Sequence, residues 1–132
     1  KWTMATQFTD VITSFHSMFM DKTEIPDSLE NFWLKKAIAE YGAEICPLEY
    51  SEDLDEFSDE LSQYVIDTLA TMMKLYYVER YISKVNKIAS IVGKDLSVNG
   101  NNGLQKYTKD EYEAVKSELE DRLFNLKPTA YN

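Results

Sequence analysis

The sequence predicts an all-α fold, a single-domain helical bundle of about four helices with an extended loop or β-hairpin between the third and fourth helices. Three observations favour this fold. Apolar residues recur at helical spacing in four separate stretches. Only four Gly and three Pro interrupt the chain. Its 132 residues are the length of one domain, which buries roughly two thirds of its unfolded surface. We therefore treat residues 1–132 as one helical domain.

The first helix is expected over about residues 5–20. Its apolar residues recur three and four positions apart, which is typical of an amphipathic helix with one aromatic-rich stripe. The stripe is expected to face the core rather than a cofactor. It consists of Phe8, Val11, Ile12, Phe15 and Phe19.

The second helix is expected over about residues 28–45. Pro26 cannot continue a preceding helix, and Asp27 with Glu30 three residues later has the spacing of a capping box. The apolar residues of this segment spread over more than half of the helix circumference, so it should contact more than one neighbour. Pro47 ends it.

The third helix, over about residues 58–84, is expected to be the longest and to lie at the centre. An acidic connection with at most a short helical turn should precede it. The helix carries tyrosines at positions 64, 76, 77 and 81. Each buried phenol needs a hydrogen-bond partner, so some of these tyrosines are expected at a protein interface.

After Tyr81 the helical rhythm weakens, and an extended loop or hairpin is expected over about residues 88–107. The loop contains NGNNG, whose Asn-Gly pairs favour turns. Thr108 and Glu111 have the spacing of another capping box, which predicts a fourth helix over about residues 109–126. Pro128 follows its end.

Charge is unevenly distributed along the chain, whose net charge is −9. Residues 1–73 hold fifteen acids and four bases, residues 74–109 hold seven bases and two acids, and residues 110–132 hold six acids and three bases. Seven acids lie within residues 49–60. They form either a solvated linker or a surface that meets the basic segment of a neighbouring molecule. The acidic balance argues against sequence-specific nucleic-acid binding.

The residues offer little catalytic machinery, and we predict a protein that is not an enzyme and has no cofactor and no metal. His16 is the only histidine and is expected to have a surface or packing role. Cys46 is the only cysteine, so neither an intrachain disulfide nor a cysteine-based zinc site can form. No phosphate loop, dinucleotide fingerprint or nucleophile elbow occurs, and residues 52–60 lack the spacing of an EF-hand.

No membrane segment is expected, because no window reaches the ~18 apolar residues that a bilayer span requires. The first residues also lack the pattern of a signal peptide. These two observations predict a protein of the cytosol or of a particle assembled there.

The order of these features resembles the small α-helical head–tail connector (adaptor, or neck) proteins of tailed bacteriophages with long non-contractile tails. The matching stretches are Phe15 to Phe19 followed by DKTEIPD, then SLENFWLKKAIAEYGAEI, YVIDTLATMMKLYYVERYISKVNK and IVGKDLSVNG. The resemblance implies a homo-oligomeric ring, commonly a dodecamer, docked beneath the portal protein and joined to neighbouring neck or tail-completion proteins. It places the protein in the virion after assembly in the bacterial host cytoplasm, with DNA passing through the ring.

The resemblance also implies that the loop following the third helix is an assembly contact. An extended segment can add to a neighbour's strand or fill its groove, and its apolar residues would anchor it. The alternative is an ordinary surface loop. The predicted protein-interface residues are Tyr77, Tyr81, Lys84, Lys87, Ile91, Val92, Lys94, Leu96, Val98 and Asn99.

Three other functions remain open from the sequence. A small acidic phage-encoded regulatory or inhibitory protein would mimic nucleic acid with residues 49–60. A tail-assembly chaperone would bind a tail protein and be absent from the finished particle. A small enzyme would depend on His16 or Cys46.

Overall fold

The computed structural model describes residues 5–19, 25–92 and 99–127. These residues form helices α1 (Phe8–Ser17), α2 (Asp27–Glu44), α3 (Gln63–Val92) and α4 (Asn99–Leu126). Two short strands, β1 (Tyr50–Ser51) and β2 (Glu56–Phe57), form an antiparallel hairpin between α2 and α3. The predicted all-α, four-helix fold is confirmed.

Helix α3 organises the fold because the other three helices all pack against it. Its 30 residues span about 45 Å at the α-helical rise. Helix α4 runs antiparallel beside it. The Asn125 side chain donates a hydrogen bond to the Tyr64 hydroxyl at one end, and Lys74 forms an ion pair with Glu111 further along.

The aromatic stripe predicted on the first helix does face the core, where Phe8, Val11 and Phe15 are buried. The Phe15 ring lies edge-on to the rings of Trp33 and Tyr77, so this stripe joins α1 to both α2 and α3. Aromatic pairs in this geometry contribute about 0.5–1.5 kcal/mol beyond the area they bury. The core also includes Leu34, Ala37, Ile38, Phe57, Leu69, Met72 and Met73.

The start of α2 differs from the predicted capping box. Pro26 is the N-cap, and no side-chain hydrogen bond caps the helix there. Asp27 therefore lies inside the first turn together with Glu30, where a negative charge is favoured by the helix dipole. The Glu30 side chain is buried and contacts His16 of α1.

The acidic connection, for which the sequence allowed at most a short helical turn, forms a β-hairpin. Its strands are joined by the turn at residues 52–55, in which Asp55 has a φ of 52°. Backbone groups of the N-terminal segment complete the pairing. The Phe57 amide donates to the Thr6 carbonyl at 2.8 Å, and the Phe8 amide donates to the Asp55 carbonyl at 2.9 Å. The two strands therefore depend on backbone hydrogen bonds to residues 6–8, which are distant in sequence.

The extended loop predicted over residues 88–107 is wrong over most of its length. Helix α3 continues to Val92 and α4 begins at Asn99, so helix covers residues 88–92 and 99–107, while residues 93–98 lie outside the described residues. Thr108 is buried inside α4 and does not cap a helix. Packing of α3 against α4 outweighs the low helix propensity of Asn and Gly.

No helix in the described parts of the chain combines the length and the apolar character needed to cross a bilayer.

Candidate functional site

The last part of α3 and the first part of α4 form a two-helix arm, defined here as residues 78–92 and 99–109. The hydrophobic core shared by the four helices extends along α3 as far as Tyr77. Beyond it, Val78 and Val85 on α3 and Thr108 on α4 are also buried, so the two helices pack against each other there. The fifteen positions from 78 to 92 correspond to about 22 Å of helix.

One side of this arm is a basic face, defined here as Arg80, Tyr81, Lys84 and Lys87 of α3. Spacings of three and four residues place these side chains on one side of the helix. The three cations are exposed and Tyr81 is half-buried. Within the described residues, none of the three cations forms an ion pair.

The rest of the arm does not offset this charge. Lys106 and Lys109 on α4 are exposed as well, and Glu79 is the one acid in residues 78–92 and 99–109. The arm therefore carries five bases against one acid in these two stretches. Most of the chain is acidic, so the arm is a local region of positive potential.

The acidic hairpin, defined here as residues 49–60, carries the opposite charge. Glu52 forms an ion pair with Lys35 of α2 at 2.9 Å, and Glu56 accepts a hydrogen bond from the Gln7 side chain at 3.0 Å. The other five acids are exposed and form no ion pair with any described residue. They are Glu49, Asp53, Asp55, Asp59 and Glu60.

The acidic hairpin is held firmly against the domain. The buried Thr6 accepts a hydrogen bond from the Leu61 amide through its hydroxyl at 2.7 Å, and its own amide donates to the Asp59 carbonyl at 3.3 Å. The Phe57 and Phe8 rings pack with their centroids 5.3 Å apart. Both flanks of the turn between the strands are therefore anchored to the domain.

Lys35 ties the tip of the hairpin to α2. Its hydrogen bond to Glu52 is the largest influence on its titration and raises the pKa of Lys35 above the ordinary value. Lys35 therefore stays charged throughout the neutral range. Because both members of the pair are largely exposed, we assign it a positioning role and no large contribution to stability.

Two large apolar side chains are exposed near this ion pair. Leu54, in the turn of the acidic hairpin, is 65% exposed, and Phe32, one helical turn before Lys35 on α2, is 63% exposed. Single exposed apolar residues are common on protein surfaces. Here, however, the Lys35–Glu52 contact brings the two elements that carry them together. The acidic hairpin thus has an apolar component beside its carboxylates.

His16 joins α1 to α2 through Glu30. Its Nε2 lies 3.1 Å from Oε1 and 2.9 Å from Oε2 of Glu30. The Glu30 side chain is only 5% exposed, whereas that of His16 is 47% exposed. A buried carboxylate requires such a partner, so the contact explains the histidine as a packing residue, the role expected from the sequence.

Most of the tyrosines on α3 form hydrogen bonds or ring contacts within the chain. The Tyr76 hydroxyl donates a hydrogen bond to Glu40, and burial, reinforced by that bond, raises the pKa of Tyr76. Tyr77 packs on Phe15 and Phe19. Tyr81 lies beyond the shared core and belongs to the basic face, so it is the tyrosine best placed to contact another molecule.

A polar groove of about 1210 Å³ lies between the start of α1 and the start of α3. Two of its three acids are engaged locally: Asp67 accepts hydrogen bonds from Ser14 at 2.7 Å and Gln63 at 2.9 Å, and Asp10 accepts one from the Gln7 amide, whereas Glu60 is exposed. Among the residues that the structure describes, no group of three or more His, Cys, Asp or Glu side chains is placed to hold a metal ion. Cys46 is exposed and has no disulfide partner.

The predicted interface residues are therefore distributed over several environments. Lys84, Lys87 and Tyr81 come together on the basic face, whereas Tyr77 packs inside the chain. Ile91 and Val92 lie at the end of α3, and Asn99 is the first residue of α4. Lys94, Leu96 and Val98 lie outside the described residues.

Arg80, Phe32 and Leu54 were not predicted from the sequence. Arg80 could have been predicted, because it precedes Lys84 by four residues and therefore shares its helix face. Leu54 could also have been predicted, because it is a lone leucine within a run of acids. No sequence pattern predicts that Phe32 is exposed, since the residues that follow it, Trp33 and Leu34, are buried.

Comparisons with protein-family models, with curated proteins and with solved structures found no match to this chain.

Proposed function

We propose that this chain is a structural subunit of a phage particle, a head–tail connector whose copies form a ring beneath the portal protein and join the capsid to the tail. The observation that carries the proposal is that one chain has two surfaces of opposite charge, the acidic hairpin and the basic face, most of whose charges form no ion pair with a described residue. A head-to-tail contact between copies needs two different surfaces of this kind, and a fixed rotation at each contact closes a ring.

Charge on these surfaces orients subunits more than it holds them. An exposed ion pair contributes only ~0–1 kcal/mol, and complementary potentials mainly steer association and exclude wrong partners. A stable contact therefore also requires apolar surface that becomes buried between two subunits. Leu54 and Phe32 provide apolar surface beside the acids, and Tyr81 provides it beside the cations.

The connector assignment is supported by the resemblance in the order of features along the chain. In this proposal the basic face contacts the next copy, and the surfaces of the arm outside the basic face contact the portal protein and the neighbouring neck or tail-completion proteins. The ring forms in the bacterial host cytoplasm and remains in the virion. Its acidic surfaces repel phosphate, so packaged DNA passes through the channel without binding to it.

The roles of the ionisable groups favour this proposal over a small enzyme. The imidazole of His16 is occupied by the buried Glu30, and Asp10 and Asp67 of the polar groove accept hydrogen bonds from their neighbours. A general acid or base needs a free position facing a substrate. These groups instead join one helix to another or to its own first turn.

Quantitative mass spectrometry of purified, DNA-filled particles tests the proposal. The chain should be present in a fixed ratio to the portal protein, and it should remain after washing in high salt. Its absence from the particles would overturn the proposal. Absence from finished particles together with presence in tail precursors would favour a tail-assembly chaperone, and capture of a basic host protein by a stable monomer or dimer would favour a regulatory protein.

A further inference from the structure

We infer that the acidic hairpin of one copy docks on the basic face of α3 of the next copy, with Leu54 seated beside Tyr81. The inference deepens the proposed function, on which it rests, because it names the two surfaces that meet at each joint of the ring. It also applies to any head-to-tail assembly of this chain.

The two surfaces leave their charge available to another molecule. Within the described residues, the cation that forms an ion pair with the acidic hairpin is Lys35 of α2, and its partner in that pair is Glu52. Lys84 and Lys87 of the basic face pair with none of the described carboxylates. At physiological ionic strength charges separated by more than about 8 Å are largely screened, so close contact between copies is required for these charges to attract.

The two surfaces also match in their arrangement. Leu54 stands between Asp53 and Asp55 at the turn of the acidic hairpin. Tyr81 lies at the edge of the basic face, next to Arg80 and Lys84. In both cases an apolar group adjoins charged side chains, and the signs are opposite. Interfaces commonly combine apolar groups that exclude water with charged groups at the rim.

The acidic hairpin has the rigidity that such a contact needs. Its flanks are held by the Thr6 hydrogen bonds and by the Phe57–Phe8 packing, and its tip is held by the Lys35–Glu52 pair. The basic face lies on a continuous helix. Because both partners are ordered before they meet, docking loses little conformational freedom.

Site-specific cross-linking of the full chain tests the contact. In a Cys46→Ser background, one tagged copy carries Asp53→Cys and a differently tagged copy carries Lys84→Cys. A short bis-maleimide should join them into a heterodimer that requires both cysteines and diminishes in high salt. The matched control is Lys109→Cys, an exposed lysine on α4 outside the basic face. Equal cross-linking of Asp53→Cys to the 84 and 109 positions, or none with 84 at any concentration, would overturn the inference.

Charge exchange provides a second, independent measurement by sedimentation velocity. Lys84→Glu should weaken self-association at least tenfold at low salt, and mixing it with an Asp53→Lys copy should restore association to within about threefold. Leu54→Ser should weaken it about tenfold, whereas Leu54→Met should not. Failure of the exchanged pair to recover would overturn the contact.

The same variants also test whether the basic face binds a nucleic acid instead of a second copy of the chain. A labelled duplex oligonucleotide should bind wild type and Lys84→Glu equally weakly. If Lys84→Glu leaves self-association unchanged but abolishes binding to the duplex, the basic face recognises phosphate and the inference is overturned.

Cross-linking within purified particles separates this inference from the proposed function. Presence of the chain in particles without a 53–84 cross-link would overturn the contact and leave the connector role standing. A 53–84 cross-link in solution together with absence from particles would support the contact and overturn the connector role.

Discussion

Replacing His16 by Ala is expected to lower the free energy of unfolding by about 1–2 kcal/mol. In the wild type, Nε2 of His16 lies within 3.1 Å of both carboxylate oxygens of Glu30. Hydrogen bonds to charged groups contribute about 1.5–3 kcal/mol when buried. Only the Glu30 side is buried, with its side chain 5% exposed against 47% for His16. Water can therefore replace part of the lost interaction, so the expected loss of about 1–2 kcal/mol lies at and below the lower end of that range.

Urea denaturation followed by circular dichroism at neutral pH measures this effect. We expect an unchanged native spectrum, an unchanged dependence on urea concentration and a lower midpoint. His16→Gln is the matched control, because its amide retains a donor and should recover part of the stability. A loss below about 0.5 kcal/mol, the range typical of surface substitutions, would refute the assigned role of the contact.

Further substitutions test the core, the arm and the buried phenol. Met73→Ala should cost about 2–5 kcal/mol in unfolding experiments, against less than about 0.5 for the exposed Phe32→Ala. Val85→Asp should reduce helical ellipticity and hydrogen-exchange protection in the arm, whereas Ser83→Asp, at an exposed position two residues away, should not; equal effects would refute the packing of α3 on α4 there. Tyr76→Phe should cost about 0.5–1.5 kcal/mol at neutral pH. Because the folded state raises the pKa of Tyr76, the unfolded chain releases that proton first, so wild-type stability should fall as pH rises above the ordinary value of 10.0. Urea titrations at pH 8 and above pH 10 should find a smaller fall in Tyr76→Phe, and parallel behaviour would contradict that assignment.

The candidate interaction surfaces were only partly predictable. The uneven charge identified an acidic segment at residues 49–60 and a basic region that includes Lys84 and Lys87. Tyr81 was also predicted from the sequence, and Arg80 follows from helix geometry because the predicted third helix already covered residues 80–84. Leu54 and Phe32 are far apart in sequence, and the Lys35–Glu52 ion pair brings together the two elements that carry them.

The sequence by itself determined the number of helices, the buried stripe on α1 and the interruptions near Pro26 and Pro47. These features are local, because apolar spacing and the missing amide of proline act within a few residues. The start of α4 shows the limit of such reasoning. Thr108 and Glu111 have the spacing of a capping box, yet Thr108 is buried within a longer helix.

Tertiary structure alone decided the helix over residues 99–107, the hairpin over residues 50–57 and the pairing of His16 with Glu30. Intrinsic helix propensities differ by only about 1 kcal/mol per residue between Ala and Gly, so packing against α3 overrides them. Strands as short as β1 and β2 need an external partner, and the backbone of Thr6 and Phe8 provides it. Each outcome depends on groups that are distant in sequence and meet only when the chain has folded.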